Sequence, residues 1–310
     1  MSTSGITCSA CLTGTVKSGT PTGTVEKMYG LDVYVARPKL EGKVSREEER
    51  KAKGIIVMIP DMFGWEISNA RLLADSYADE GDFLVLLPDF MCGTAPPAWT
   101  MQTMDSLLSP SHSLLTTLLK KPIWAVQILL TAIPFLLRNK ESIVLPRILS
   151  FHRSLHWDPT PETRGLKIGS AGFCWGGKYT ILLSHERVED TSTSTVTQPP
   201  NGNRKGVLVD SAFVAHPSKM TFPTDWENIA IPFSMAIGDV DMGIGIEHVR
   251  QIQGVLEGEG RGVGKEAEVV VYEGAKHGFA IRADSEDGTQ ARSAEGAKRQ
   301  AMRWFGRWLV

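Results

Sequence analysis

The sequence predicts an α/β fold, a mostly parallel central sheet with helices on both faces. Three observations carry it. Continuous apolar runs at Gly54–Ile59, Phe83–Leu87, Val207–Val214, Ile231–Ile237 and Glu268–Tyr272 have the length of strands buried on both sides. Segments of helical period separate several of them, the alternation that builds a parallel sheet. Between them, Gly169-Ser170-Ala171-Gly172-Phe173-Cys174-Trp175-Gly176-Gly177 reads as a strand entering a tight turn and leaving as a helix.

In chain order, residues 1–24 are rich in Gly, Thr and Ser without periodicity and are expected as an extended N-terminal arm, followed by one domain over 25–310. Val25–Tyr29 and Leu31–Ala36 alternate around Gly30 as an edge hairpin, and Lys43–Lys53 is a charged loop. The run Gly54–Ile59 leads into Pro60-Asp61-Met62-Phe63-Gly64-Trp65, the kind of strand-end loop that lines sites in open α/β sheets. A helix near Glu66–Glu80 follows, with Ile67, Ala70, Leu73, Ala74 and Tyr77 on one face. After Asp89 the alternation stops until Gly165. This insertion, about 90–165, holds helical apolar stretches at Ser113–Leu119 and Ile123–Leu137 and is expected to form a helical lid over the sheet edge. Leu166–Ile168 is the strand before the Gly-rich turn, Lys178–Leu183 the helix after it, and Val188–Lys205 a polar loop. Helices near Ile244–Leu256 and Ala291–Leu309 complete the domain; the last places Ala294, Ala297, Ala301, Trp304, Phe305 and Trp308 on one face.

Composition narrows the function classes. A net charge of -2, from 33 basic and 35 acidic residues spread along 310, gives no footprint for nucleic acid or an anionic membrane surface. Four cysteines are too few for a disulfide scaffold, and the N-terminus lacks the pattern of a secretion signal, so a cytoplasmic, reducing location is expected. Cys8 and Cys11 have the spacing of half a zinc site, with no second pair at a matching distance. The most apolar stretch, Pro122–Leu137, has 16 residues including Gln127 and Pro134 and is flanked by basic residues, which argues against a membrane span; a helix lying on a membrane surface is the lesser alternative to the lid, and no membrane partner is expected. Partners are therefore expected to be small molecules; among assemblies, a homodimer is left open.

Cys174 is the candidate nucleophile. Glycines two residues either side of it suit a strained turn, the following helix points its N-terminus at the sulfur, and the amide of Trp175 is placed for an oxyanion. Of seven histidines, His277 alone sits just past a late strand, and Gly238-Asp239-Val240-Asp241 offers two acids at the end of the strand before it. Nucleophile, acid and histidine in that order are the order of the α/β-hydrolase fold. A buried structural cysteine, on a protein of this fold that binds partners without catalysis, is the rival reading.

These motifs resemble the dienelactone hydrolase family, especially its fungal members: Gly-Phe-Cys-Trp-Gly-Gly at 172–177, Gly-Asp-Val-Asp at 238–241 and His-Gly-Phe-Ala at 277–280. The resemblance implies hydrolysis of an ester, lactone or thioester by Cys174, His277 and Asp241, with Met62 and Trp175 as oxyanion donors and neither metal nor organic cofactor. It sets Asp61 where the family usually has glutamate, ahead of Phe63, and Arg282 near, though offset from, a substrate-binding arginine of bacterial members. Asp61, Phe63, Arg282 and His216, which ends another strand, are the candidate substrate-binding or modulating residues. Asp61 is expected either to temper the nucleophile's charge or to cap a helix beginning near Phe63. The long apolar insertion points to a substrate larger and less polar than the bacterial dienelactone.

Overall fold

The computed structural model describes residues 18–39, 52–108, 116–185, 207–258 and 266–310. Its strands are β1 (Thr24–Met28), β2 (Leu31–Ala36), β3 (Ile55–Ile59), β4 (Leu84–Pro88), β5 (Ile168–Phe173), β6 (Ser211–Ala215), β7 (Phe233–Gly238) and β8 (Ala267–Tyr272). They form one sheet in the order β1-β2-β4-β3-β5-β6-β7-β8. β1 and β2 are antiparallel to their neighbours and all other pairs are parallel. The connection from β3 leads to one side, to β4, while β5 lies on the other. The strand order therefore reverses at β3, and a crevice opens beyond the carboxyl ends of β3 and β5. β3 through β7, apolar along most of their length, are buried throughout, as strands covered on both faces must be.

The helices are α1 (Ser68–Gly81), α2 (Trp99–Leu108), α3 (Lys121–Arg138), α4 (Glu141–Trp157), α5 (Trp175–Leu183), α6 (Thr224–Glu227), α7 (Ile246–Glu257), α8 (Phe279–Arg282) and α9 (Gly288–Trp308). α1, α8 and α9 pack together on one face; α4, α5, α6 and α7 follow one another over the second. The N-terminal arm is tied to α1 where it is described. Thr22 N–H donates to Asp75 at 2.8 Å, and Tyr34, the hydrogen-bond partner of Gly23, donates to the same carboxylate at 2.7 Å. Residues 1–17 with Cys8 and Cys11, most of the charged loop, the loop over 188–205 and the first part of the Ser113–Leu119 stretch lie outside the described residues.

Several boundaries differ from expectation. β5 is six residues long and extends to Phe173, beyond the expected Leu166–Ile168. β6 starts only at Ser211, because Asp210 bonds Ile168 through both its amide and its carboxylate just before the ladder begins. α1 starts at Ser68, so no helix begins near Phe63.

The insertion differs most. No helix is expected over α4, which holds Pro146 and yet buries Val144, Ile148, Phe151 and Leu155. α3 continues a π-helical turn, Thr116–Lys120, so the apolar helix Thr117–Arg138 has 22 residues, with a mean hydropathy of 1.3 over an 18-residue window of it. By length and composition it is long enough to cross a membrane, which corrects the argument from 16 residues. It is also mostly exposed, and Phe135 is its buried apolar anchor.

A buried amide aligns the two strands that end near the site. Gln300 of α9 donates to Ser234 Oγ at 2.9 Å and to the Met235 carbonyl of β7 at 3.1 Å, and accepts from Tyr272 of β8 at 2.9 Å. Gln300→Leu leaves these groups short of partners, and urea denaturation should register a loss of about 1–3 kcal/mol. Stability within about 0.5 kcal/mol of wild type would deny the network this role.

Candidate active site

Cys174 stands between β5 and α5 with φ 50° and ψ -111°, a conformation few non-glycine residues adopt. The close packing around it explains the glycines. A Cβ on Gly176 would lie 2.0 Å from the Ile59 carbonyl oxygen, and one on Gly172 would meet Thr180 Oγ1 at 2.4 Å. Gly176 N–H donates to the Pro60 carbonyl at 3.1 Å, which ties the loop after β3 to the start of α5. That bond brings the expected oxyanion donors, the amides of Met62 and Trp175, into one neighbourhood. Among the described residues, neither amide donates to another backbone group.

His277 follows β8 in a turn that ends at Gly278, whose φ is +88°. Its Nδ1–H donates to both oxygens of Asp241, at 2.9 and 3.0 Å, with both side chains buried. The ring is also within hydrogen-bonding reach of Cys174. Burial alone would lower the pKa of this imidazole. The negative charge at Cys174 and the bonds to Asp241 and Cys174 outweigh it, and the value is pushed up to about 10. The two acids of the Gly-Asp-Val-Asp segment separate cleanly: Asp241 faces His277, whereas Asp239 accepts from Gly274 N–H at 2.7 Å. Gln290 of α9, unnoticed in the sequence, holds the same loop by accepting from Lys276 N–H at 3.0 Å and donating to the Gly274 carbonyl at 2.7 Å.

Asp61 and Arg282 form an ion pair of 2.6 Å with both side chains buried, and the guanidinium lies 5.2 Å from the ring centre of Phe63. Arg282 is thus not turned to an open cavity as a substrate-binding arginine would be; its charge is already answered by Asp61. Asp61 caps no helix. It accepts from Phe63 N–H at 3.0 Å and so closes the turn after β3. Burial raises its pKa against the lowering effect of Arg282, and the charge at Cys174 adds to the rise. His216, expected along a pocket, lies behind His277 with ring centres 5.0 Å apart, and packs against Phe279 and Phe173. Burial, then the neighbouring charges of His277 and Arg282, holds its pKa well below the usual range.

A cavity of about 250 Å³ lies next to the neighbours of Cys174, while Cys174, Asp241 and His277 themselves are not part of its wall. Its wall includes Trp175 and Ser218, which flank Cys174, and Phe135 and Leu136 from the end of α3. Ser218 was missed in the sequence. Its Oγ is 3.7 Å from the Cys174 sulfur, and its amide donates to the Cys174 carbonyl at 3.1 Å. Trp175 stacks edge-on with Tyr179 and faces Phe135, which makes one side of the wall aromatic, while Lys140, Glu141, Lys178 and Lys219 supply a charged side.

The model of the dienelactone hydrolase family matches residues 40–309. The chain belongs to the dienelactone hydrolase family. Its relatives include Hydrolase tropI of Talaromyces stipitatus, 24% identical over 97% of this chain and 96% of that protein. The carboxymethylenebutenolidase homolog of Homo sapiens is 23% identical over 90% and 92%. Among solved structures, a putative dienelactone hydrolase from Klebsiella pneumoniae superposes with a TM-score of 0.54 at 18% identity, covering 90% of this chain and 93% of that one, a likeness of fold. As a dienelactone hydrolase family member, the protein is a hydrolase of lactone or ester bonds.

Two measurements probe this geometry. With His277 protonated up to about pH 10, alkylation of Cys174 by iodoacetamide should be nearly independent of pH between about 7 and 9. Asp241→Asn withdraws one of the groups that raise His277, so the plateau should shorten from its alkaline end. Asp239→Asn should leave it in place, and equal profiles for the two variants would contradict the assignment. Asp61→Asn leaves the Arg282 cation buried beside Cys174 without its counter-ion. The acid limb of the alkylation profile should move to lower pH, and stability should fall by about 3–5 kcal/mol. An unmoved limb would reduce Asp61 to its turn.

Proposed function

We propose that Cys174, His277 and Asp241 act as nucleophile, general acid–base and orienting acid in the hydrolysis of an ester, lactone or thioester. The observation that carries this reading is the strained elbow that holds Cys174 within hydrogen-bonding reach of His277, while the far nitrogen of that ring is bound to Asp241. Thiolate at Cys174 attacks the substrate carbonyl carbon, and the carbonyl oxygen takes the negative charge between the amides of Met62 and Trp175. As the tetrahedral adduct collapses, the bond to the leaving oxygen or sulfur breaks and His277 gives that atom its proton.

The acylated sulfur no longer carries charge. The largest influence raising the basicity of His277 is then gone, and the neutral imidazole is ready to take a proton from water. Water adds to the thioester carbonyl, the carbon–sulfur bond breaks, and acid product leaves with thiolate and imidazolium restored. In a lactone the leaving group stays attached to the acyl chain, so one ring-opened product results. Trp175, Tyr179 and Phe135 offer apolar contact to one part of an acyl or leaving group, beside the charged side chains of Lys140, Glu141, Lys178 and Lys219 in the same wall. In this reading the end of α3 closes one side of the cavity as a partial lid.

Intact-mass measurement after mixing with a p-nitrophenyl ester should show one acyl adduct, lost on tryptic mapping of Cys174→Ala. That variant should stay folded and hydrolyse at the uncatalysed rate. Turnover by Cys174→Ala at the wild-type rate would sink the mechanism; wild-type protein that neither turns over nor acylates would favour a binding protein of the same fold.

A further inference from the structure

The helix of the insertion turns most of its apolar surface to water. Leu119, Ile123, Val126, Leu130, Ile133 and Leu137 recur at alternating steps of four and three residues and are 45–68% exposed. Residues so spaced form one continuous ridge along a helix. The protein-facing side carries Trp124, Ile128 and the buried Phe135 instead. An exposed apolar strip of this length marks a surface that something covers.

Charge identifies the cover. From Ser106 to Lys140 the sequence contains no acidic residue, while Lys120 and Lys121 stand at one end of the exposed ridge and Arg138 and Lys140 at the other. Apolar side chains bounded at both ends by cations complement the acyl chains and anionic headgroups of a lipid surface. A second copy of α3 fits less well. Parallel or antiparallel, it would bring cationic ends together, and the nearest acid, Glu141, is already paired with Lys178 at 2.6 Å.

Topology decides how the helix meets the lipid. Its 22 residues would suffice to cross a bilayer. However, β4 before it and β5 after it are both neighbours of β3 in one sheet, so a single crossing would divide adjoining strands between two sides. The C-terminal end is also fastened to the domain, with Asn139 Nδ2–H donating to Thr94 Oγ1 at 2.8 Å. The helix must lie in the plane of the surface. There, its Phe135 and Leu136 share a cavity wall with Trp175 and Ser218, the neighbours of Cys174, so the covered face lies close to the candidate site.

We propose that the outer face of α3 docks on an anionic lipid surface and that the enzyme takes its ester or lactone from the lipid phase. The second clause rests on the function proposed above; docking does not. The test is flotation of the full chain with unilamellar vesicles of phosphatidylcholine, alone or mixed equally with phosphatidylglycerol. Strong flotation is expected with the mixed vesicles, weak flotation with the neutral ones, and loss of the difference in about 0.5 M salt. Leu130→Glu/Ile133→Glu should reduce flotation at least about tenfold, yet hydrolyse a water-soluble acetate ester as wild type does. Cys174→Ala should float normally, which separates docking from catalysis. Preferential turnover of a vesicle-bound ester over its soluble counterpart, lost in Leu130→Glu/Ile133→Glu, would support delivery from lipid. No such preference despite flotation would overturn delivery. Absence of flotation, equal flotation with both compositions, or wild-type flotation by Leu130→Glu/Ile133→Glu would overturn docking on anionic lipid. So would a lipid-free dimer, split by the same double variant, in a protein that does not float; it would assign the face to a second copy.

Discussion

The backbone at Cys174 is the constraint on which the rest depends. A non-glycine residue at φ 50° and ψ -111° costs free energy, on the order of 1–3 kcal/mol, and holds only where its surroundings permit no alternative. Here the surroundings are backbone. Gly176 approaches the carbonyls of Ile59 and Pro60 so closely that a methyl group has no room, and its amide bonds Pro60. The sharp turn therefore aligns three things at once: the sulfur, the N-terminus of α5, and the loop that carries Asp61 and Met62. None of them could be moved without moving the others.

The other half of the site comes from a different part of the sheet and needs its own alignment. Asp241 and His277 follow neighbouring parallel strands, so their separation is set by how those strands register and how their loops are held. Gln300 fixes the strands from α9, and Gln290 and Asp239 fix the loop before His277. Gln290 and Asp239 are spent on backbone atoms, and Gln300 on one carbonyl and two hydroxyls. The C-terminal helix thus acts on the site without touching it: Gln290 lies among its first residues and Gln300 three turns further, both on the face turned to the sheet.

Which parts were legible in the sequence follows from how local each signal is. The elbow was readable because its glycines are contiguous with the cysteine, and the order of Cys174, Asp241 and His277 because each sits at a strand end marked by an apolar run. Asp61 and Arg282 carry no such mark. They belong to opposite ends of the chain and become partners only when α8 folds back over the loop after β3, so sequence could assign each a role but not the pairing that cancels both charges. α4 was illegible because Pro146 argues locally against a helix, while the reasons for one, Val144, Ile148, Phe151 and Leu155, are tertiary. For α3 the periodicity was visible but not its direction. An apolar helix reads the same whether its ridge faces the core or water, and only packing tells the two apart.

The charges beside Cys174 show why His216 can occupy so crowded a position. Cys174, His277 and Asp241 form one polar group, and Asp61 with Arg282 forms a second, ion-paired group next to it. A further ionised group in this dry volume would have to find a partner that the surrounding Phe173 and Phe279 cannot supply. Imidazole meets the condition by staying neutral: two neighbouring cations and complete burial all oppose its protonation. Lysine at the same place would face the same opposition and also lack a flat ring to lie against His277. His216 is therefore best understood as a neutral ring that fills the space behind His277 and keeps water from it, which preserves the low dielectric in which the bond between His277 and Asp241 is strong.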